Sequence, residues 1–126
     1  MKKRIMVVDD NEDTRNTVEM ILKLEKFDVI KAENGADFLE KLKTTKPDLI
    51  LLDLKMPGMT IEEIFDELGN MHIVTPIILF SASREADAIE RLFPEFKEHK
   101  NVRDYIEKPF NNEDLVRRVK KALKMK

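Results

Sequence analysis

Three runs of four apolar residues punctuate the chain: Ile5-Met6-Val7-Val8, Leu49-Ile50-Leu51-Leu52 and Ile77-Ile78-Leu79-Phe80. Each is short for a helix and offers no polar position on either face, as expected of a strand covered on both sides. Two more polar runs, Phe27 to Ala32 and Val102 to Ile106, suit strands at the edges of a sheet. Between these runs the pattern changes to helical period. Val18, Ile21 and Leu22 share one face of the first such segment, and Leu39 and Leu42 one face of the second. Ile61, Ile64, Phe65 and Leu68 mark the third, Ala88, Leu92 and Phe93 the fourth, and Leu115, Val116, Val119 and Leu123 the last. In "TIEE", Thr60 and Glu63 have the spacing of a capping box. Pro94 breaks the fourth segment, and lysines and glutamates crowd the stretch after it.

Strand followed by helix, five times over, predicts an α/β fold: a doubly wound five-stranded parallel sheet with right-handed crossovers and helices on both faces. The 126 residues suit one domain, 1–126, with enough chain to bury a core. In such a sheet the C-terminal ends of the strands share an edge, and ligands bind there where strand order reverses. The residues at those ends therefore carry the functional argument. They are Asp9 and Asp10 after the first run, Asp53 after the third, Ser81 after the fourth, and Lys108-Pro109 after the fifth. Each alone has an ordinary explanation: acids favour a helix N-terminus, a serine caps a turn, a lysine is solvated. Their occurrence together at one edge asks for a chemical one.

Three carboxylates at one edge repel one another and call for a cation. Oxygen donors without His or Cys select Mg²⁺, or Mn²⁺, over zinc, and Mg²⁺ commonly completes its shell with waters and a phosphate oxygen. A carboxylate can attack phosphorus to give an aspartyl phosphate while a metal and a lysine neutralise the phosphoryl oxygens. On this reading Asp53 is the nucleophile, Asp10 a metal ligand, and Ser81 and Lys108 the phosphate partners.

Composition narrows the setting. Twenty-three basic against 25 acidic residues give a net charge of −2, so no global attraction to nucleic acid or to an anionic membrane is expected. There is no cysteine, which removes disulfide scaffolds, zinc–thiolate sites and thiol catalysis and suits a reducing compartment. The start "MKKRIMVVDD" has a run of only four apolar residues before the acids, too short for a signal peptide or membrane span. The expectation is a soluble cytoplasmic protein. The seven methionines lie mostly at apolar positions and read as core filler, and His72 and His99 lie at no predicted site edge.

With "VVDDNEDTR", "PDLILLDLKMPGM", "IILFSAS" and "YIEKPF" in this order, the chain resembles the receiver domains of two-component response regulators over nearly its whole length. The resemblance implies a flavodoxin-like strand order of 2-1-3-4-5 and Asp53 as phosphoacceptor. It implies metal binding by Asp10, Asp53 and the Lys55 carbonyl, with Asp9 holding a metal-bound water or the lysine. Ser81 would be the switch hydroxyl, Lys108 the phosphate and carboxylate partner, and Tyr105 the aromatic that changes rotamer, followed by a cis Lys108-Pro109 bond. The implied function is a stand-alone switch. It would take a phosphoryl group from a sensor histidine kinase or a histidine phosphotransfer protein, signal to a downstream protein, and perform no turnover of other substrates. Three features depart from the family pattern: no Asp-Gly follows "MPGM", Lys108 comes 27 positions after Ser81, and "FKEHKNVRD" replaces the Gly-Ala turn before the last strand.

Two other classes compete. A Mg²⁺-dependent phosphohydrolase with an aspartyl nucleophile usually has a second acid two residues on, where this chain has Lys55. A DNA-binding role is suggested by Arg117, Arg118, Lys120, Lys121, Lys124 and Lys126 in the last helix. Basic residues there also complement the helix dipole.

Overall fold

The computed structural model describes residues 2–54, 56–82 and 101–124. In chain order these form β1 (Arg4–Val8), α1 (Glu12–Leu24), β2 (Asp28–Ala32), α2 (Gly35–Leu42), β3 (Leu49–Asp53) and α3 (Ile61–Asn70). They continue with β4 (Ile77–Ala82), β5 (Val102–Lys108) and α4 (Asn112–Ala122). The helical segment expected around Ala88, Leu92 and Phe93 lies outside the described residues, as do Pro94, His99, Lys55 and Lys126.

All four strand pairings are parallel, and the order is β2-β1-β3-β4-β5. The apolar runs are the three inner strands and the more polar ones the two edges, because only inner strands are covered on both faces and paired on both sides. Strand geometry then divides each run between two cores. Met6, Val8, Ile50, Leu52, Ile77 and Leu79 point to the side of Phe38, Ile64, Phe65 and Leu68 on α2 and α3. Ile5, Val7, Leu49, Leu51, Ile78 and Phe80 point to Val18, Leu22, Leu115 and Val119 on α1 and α4. Alternation with a period of two is what lets an uninterrupted apolar run feed both sides.

Several local expectations shift by a residue or two. β2 begins at Asp28 rather than Phe27, though Phe27 is buried, and β5 continues through Lys108, which belongs to the strand itself. In α2 the fully buried anchor is Phe38, with Leu39 only partly covered. Met6 and Met56 are core residues, but Met20 is 60% exposed on α1 and fills nothing. Helix starts follow side-chain capping: Asn11, Asn34, Thr60 and Asn111 each accept a hydrogen bond from a first-turn N–H. At Thr60 the expected box closes, with Glu63 N–H donating to Thr60 Oγ1 and Glu63 Oε1 accepting from the Thr60 N–H. Among the described residues no helix is long and apolar enough to cross a membrane.

Candidate functional site

The loops after β1 and β3 and the last residues of β4 and β5 meet at one edge because every strand runs the same way. β1 lies between β2 and β3, so the helices that leave β1 and β3 depart on opposite faces and open a crevice at the ends of these two strands. Asp9 enters it with every polar group engaged. Its N–H donates to the Ala32 carbonyl at 3.1 Å, its Oδ1 accepts from the Asn11 N–H at 2.9 Å, and its Oδ2 accepts from Lys108 Nζ at 2.6 Å. Asp9 is wholly buried, and the pairing and hydrogen bonds offset the cost of taking its carboxylate out of water.

Asp53 is the last residue of β3, 6% exposed, and its Oδ2 lies 3.6 Å from Lys108 Nζ. One ammonium thus serves two carboxylates, with the nearer contact to Asp9. Lys108 also stands 5.9 Å from the centre of the Phe80 ring, and Phe80 stacks on Phe110 at 5.6 Å between centroids. The aromatic pair belongs to the α1–α4 side of the sheet, and the ammonium lies closer to the two acids than to the ring. The Lys108-Pro109 bond is cis, as the resemblance implies.

Asp10 completes the group. Its side chain is exposed, and Asp9, Asp10 and Asp53 each offer an oxygen within 4.8 Å of the others. Three carboxylates against one ammonium leave an excess of negative charge at a spacing that a hard divalent cation can span, so the donor set fits such an ion. Ser81 pairs in register with Glu107, one residue beyond the Asp53–Phe80 pairing. Its Oγ is fully buried and has no hydrogen-bond partner among the described residues. An unsatisfied buried hydroxyl of this kind costs about 1–3 kcal/mol. Tyr105, partly buried on β5, packs against the core on the α2–α3 side. The structure therefore brings together Asp9, Asp10, Asp53 and Lys108 and sets Ser81 in the adjoining strand, while Lys55 lies outside the described residues.

One feature escaped the sequence reading. Arg15, inside "VVDDNEDTR", donates from Nη1 to the Asp9 carbonyl at 2.7 Å. The signal available was positional: Arg15 follows the Asn11 cap by four residues, so its side chain leans back over the helix N-terminus.

Three of the basic residues of the last helix are paired with acids within the fold. Arg118 bonds to Asp104 at 2.7 Å and to Asp114 at 2.9 Å, Arg117 also pairs with Asp114, and Lys120 pairs with Glu25 at 2.9 Å. Partial burial works against the Arg118 charge, but Asp114 and Asp104 outweigh it and hold the guanidinium pKa above its ordinary value. For Asp114 desolvation pushes up and the two arginines pull down, with the net result below the usual carboxylate range.

The chain matches the response regulator receiver domain family over residues 5–120. It belongs to that family. It is 34% identical over 125 residues to the alkaline phosphatase synthesis transcriptional regulatory protein PhoP of Bacillus subtilis, covering 98% of this chain and 50% of that one. To the cell cycle transcriptional regulator CtrA of Caulobacter vibrioides it is 32% identical over 116 residues, 92% of this chain and 48% of the relative. The receiver chain thus spans about half the length of these curated relatives. A signal receiver domain from Vibrio parahaemolyticus superposes with a TM-score of 0.83 at 30% identity, covering 98% of this chain and 92% of that one. The Francisella response regulator 1452 receiver domain superposes at 0.82 with 26% identity and 98% of both chains covered. Receiver domains are phosphoacceptor switches of two-component signalling rather than enzymes acting on external substrates, and they bind Mg²⁺ at an acidic pocket. They take their phosphoryl groups from histidine kinases or phosphotransfer proteins.

Proposed function

We propose that Asp53 is the phosphoacceptor of this receiver. A carboxylate oxygen of Asp53 attacks the phosphorus of a phosphohistidine presented by a sensor histidine kinase or phosphotransfer protein. The new O–P bond forms as the P–N bond breaks, and the imidazole nitrogen keeps the bonding pair. The observation that carries this reading is the position of Asp53: at the rigid end of an inner strand, 3.6 Å from Lys108 Nζ, in one oxygen cluster with Asp9 and Asp10. Phosphoryl transfer to a carboxylate needs little covalent help and much positioning and charge neutralisation. This arrangement supplies both.

Asp9, Asp10 and Asp53 would hold the divalent ion, Mg²⁺ or Mn²⁺, with Asp9 acting through a bound water while it keeps Lys108. When bound, such an ion supplies positive charge for the phosphoryl oxygens and holds nucleophile and donor in one geometry. Lys108 adds a mobile ammonium that can turn from the carboxylates to a phosphoryl oxygen. Ser81, buried and without a hydrogen-bond partner among the described residues, is the hydroxyl with most to gain from a new acceptor on Asp53. The downstream partner is a protein that distinguishes the two forms. The transcriptional roles in the relatives' names belong to those longer chains.

Incubation with Mg²⁺ and a small acyl-phosphate donor is expected to add the mass of one phosphoryl group to the intact chain, and none when a chelator replaces the metal. Labelling undiminished by the chelator would overturn the metal assignment. Within the same reading, Ser81→Ala is expected to label normally yet respond weakly. A hydrogen bond to the phosphoryl group contributes roughly 1.5–3 kcal/mol, whereas inverting a 1:99 equilibrium takes about 5.5 kcal/mol. Losing it leaves a substantial population in the resting state. Phosphorylation-dependent shifts in backbone amide signals identical to those of the wild type would remove Ser81 from the coupling.

A further inference from the structure

We propose that Arg15 is a positioning residue for the acidic site, acting through the Asp9 main chain. Its guanidinium donates to the Asp9 carbonyl at 2.7 Å, and that carbonyl belongs to the peptide joining Asp9 to Asp10. The plane of this peptide sets the N–Cα bond of Asp10, from which its side chain departs. The proposal rests on the reading of Asp10 as a metal ligand.

Three observations support it. The bond is short and charge-assisted, the strongest class of contact an arginine can give a neutral acceptor. Arg15 also chooses it over other partners: the cleft it lines holds the acids Glu12, Glu33 and Asp37, yet among the described residues it forms no ion pair. Finally, Asp9 and Asp10 are held very differently. Asp9 is tied by Lys108, Asn11 and Ala32, whereas the exposed Asp10 carboxylate has no hydrogen-bond partner among the described residues. Its placement depends on the backbone alone, which Arg15 grips at the peptide before Asp10 and the Asp9 carboxylate grips at the peptide after it. Helix α1 makes this possible. The N–H of Arg15 closes the first helical hydrogen bond to the Asn11 carbonyl at 3.0 Å, and a long side chain at that position turns back toward the preceding loop.

The expected consequence is on affinity for the ion rather than on phosphoryl transfer once the ion is bound. Groups that orient a metal's ligands commonly change affinity by roughly 10–100-fold when removed. In calorimetric titration with Mg²⁺, Arg15→Ala is expected to bind about tenfold more weakly. In the metal-free chain its Asp10 amide signal should shift, while labelling by acyl phosphate at saturating Mg²⁺ stays near the wild-type rate. Arg15→Lys should recover part of the affinity, because an ammonium can donate to the same carbonyl without the planar fork. Asp10→Asn in the same titration separates the two layers of inference. If it binds Mg²⁺ as the wild type does, the metal-ligand reading falls and the positioning role falls with it. If it loses binding while Arg15→Ala keeps wild-type affinity, only the role of Arg15 is overturned. Should Arg15→Ala fail to fold, Arg15→Leu, which keeps bulk without a donor, carries the same test, and wild-type affinity there overturns the proposal.

Discussion

An Asp53→Asn chain is expected to gain no phosphoryl group over a period in which the wild type labels fully. The substitution preserves shape and removes the anionic oxygen, so it separates the nucleophile from its surroundings. An amide retains a carbonyl oxygen, but a neutral and weakly nucleophilic one, and no other carboxylate of the cluster combines burial, strand rigidity and proximity to Lys108 as Asp53 does. Asp9 is buried but committed to Lys108 at 2.6 Å, and Asp10 is exposed. The fold should not suffer. Removing one of three neighbouring negative charges relieves repulsion, gives up the 3.6 Å contact to Lys108 and leaves the Asp9–Lys108 pair intact, so the metal-free variant should unfold at about the same urea concentration. Labelling of the variant at the wild-type rate, read by intact mass, would assign the phosphoryl group to another residue.

The fold was legible in the sequence because its strongest signals are local and periodic. A four-residue apolar run such as Leu49 to Leu52 has few structural uses, and three of them alternating with amphipathic segments leave little choice but a covered parallel sheet. The acids and the lysine were legible for a topological reason: parallel strands deliver whatever follows them to the same edge. Other features depended on information that periodicity does not carry. Whether Phe38 or Leu39 anchors α2 turns on the exact rotation of a two-turn helix, in which adjacent positions differ by 100°. Met20 has an apolar side chain at a position where α1 faces outward. Arg15 is harder to read because its partner is a main-chain carbonyl, so only its spacing from the Asn11 cap, and no partner residue, marks it.

Lys108 is where the energetics of the site concentrate, and Lys108→Met tests that directly. The side chain keeps a similar length and stays compatible with the Phe80 ring nearby, so the change chiefly removes the charge. Asp9, wholly buried, then loses the counter-charge 2.6 Å away, and Asp53 loses the one at 3.6 Å. Breaking a buried ion pair by removing one partner costs about 3–5 kcal/mol, because the remaining charge is stranded in a poor solvent. Lys108 is 23% exposed, and water reaching its end places the expectation near the lower bound, about 3 kcal/mol. For a domain of this size that is a large share of a total stability of roughly 5–15 kcal/mol. The sign reverses when the second charge is removed as well. Asp9→Asn in the Lys108→Met background leaves no buried ion, keeps an oxygen for the Asn11 N–H, and should recover most of the loss. The two changes are therefore strongly non-additive. Urea unfolding of wild type, both single variants and the double variant, in metal-free buffer, measures the coupling. A Lys108→Met chain within about 1 kcal/mol of wild type would mean that solvent, not the ion pair, holds the Asp9 charge in place.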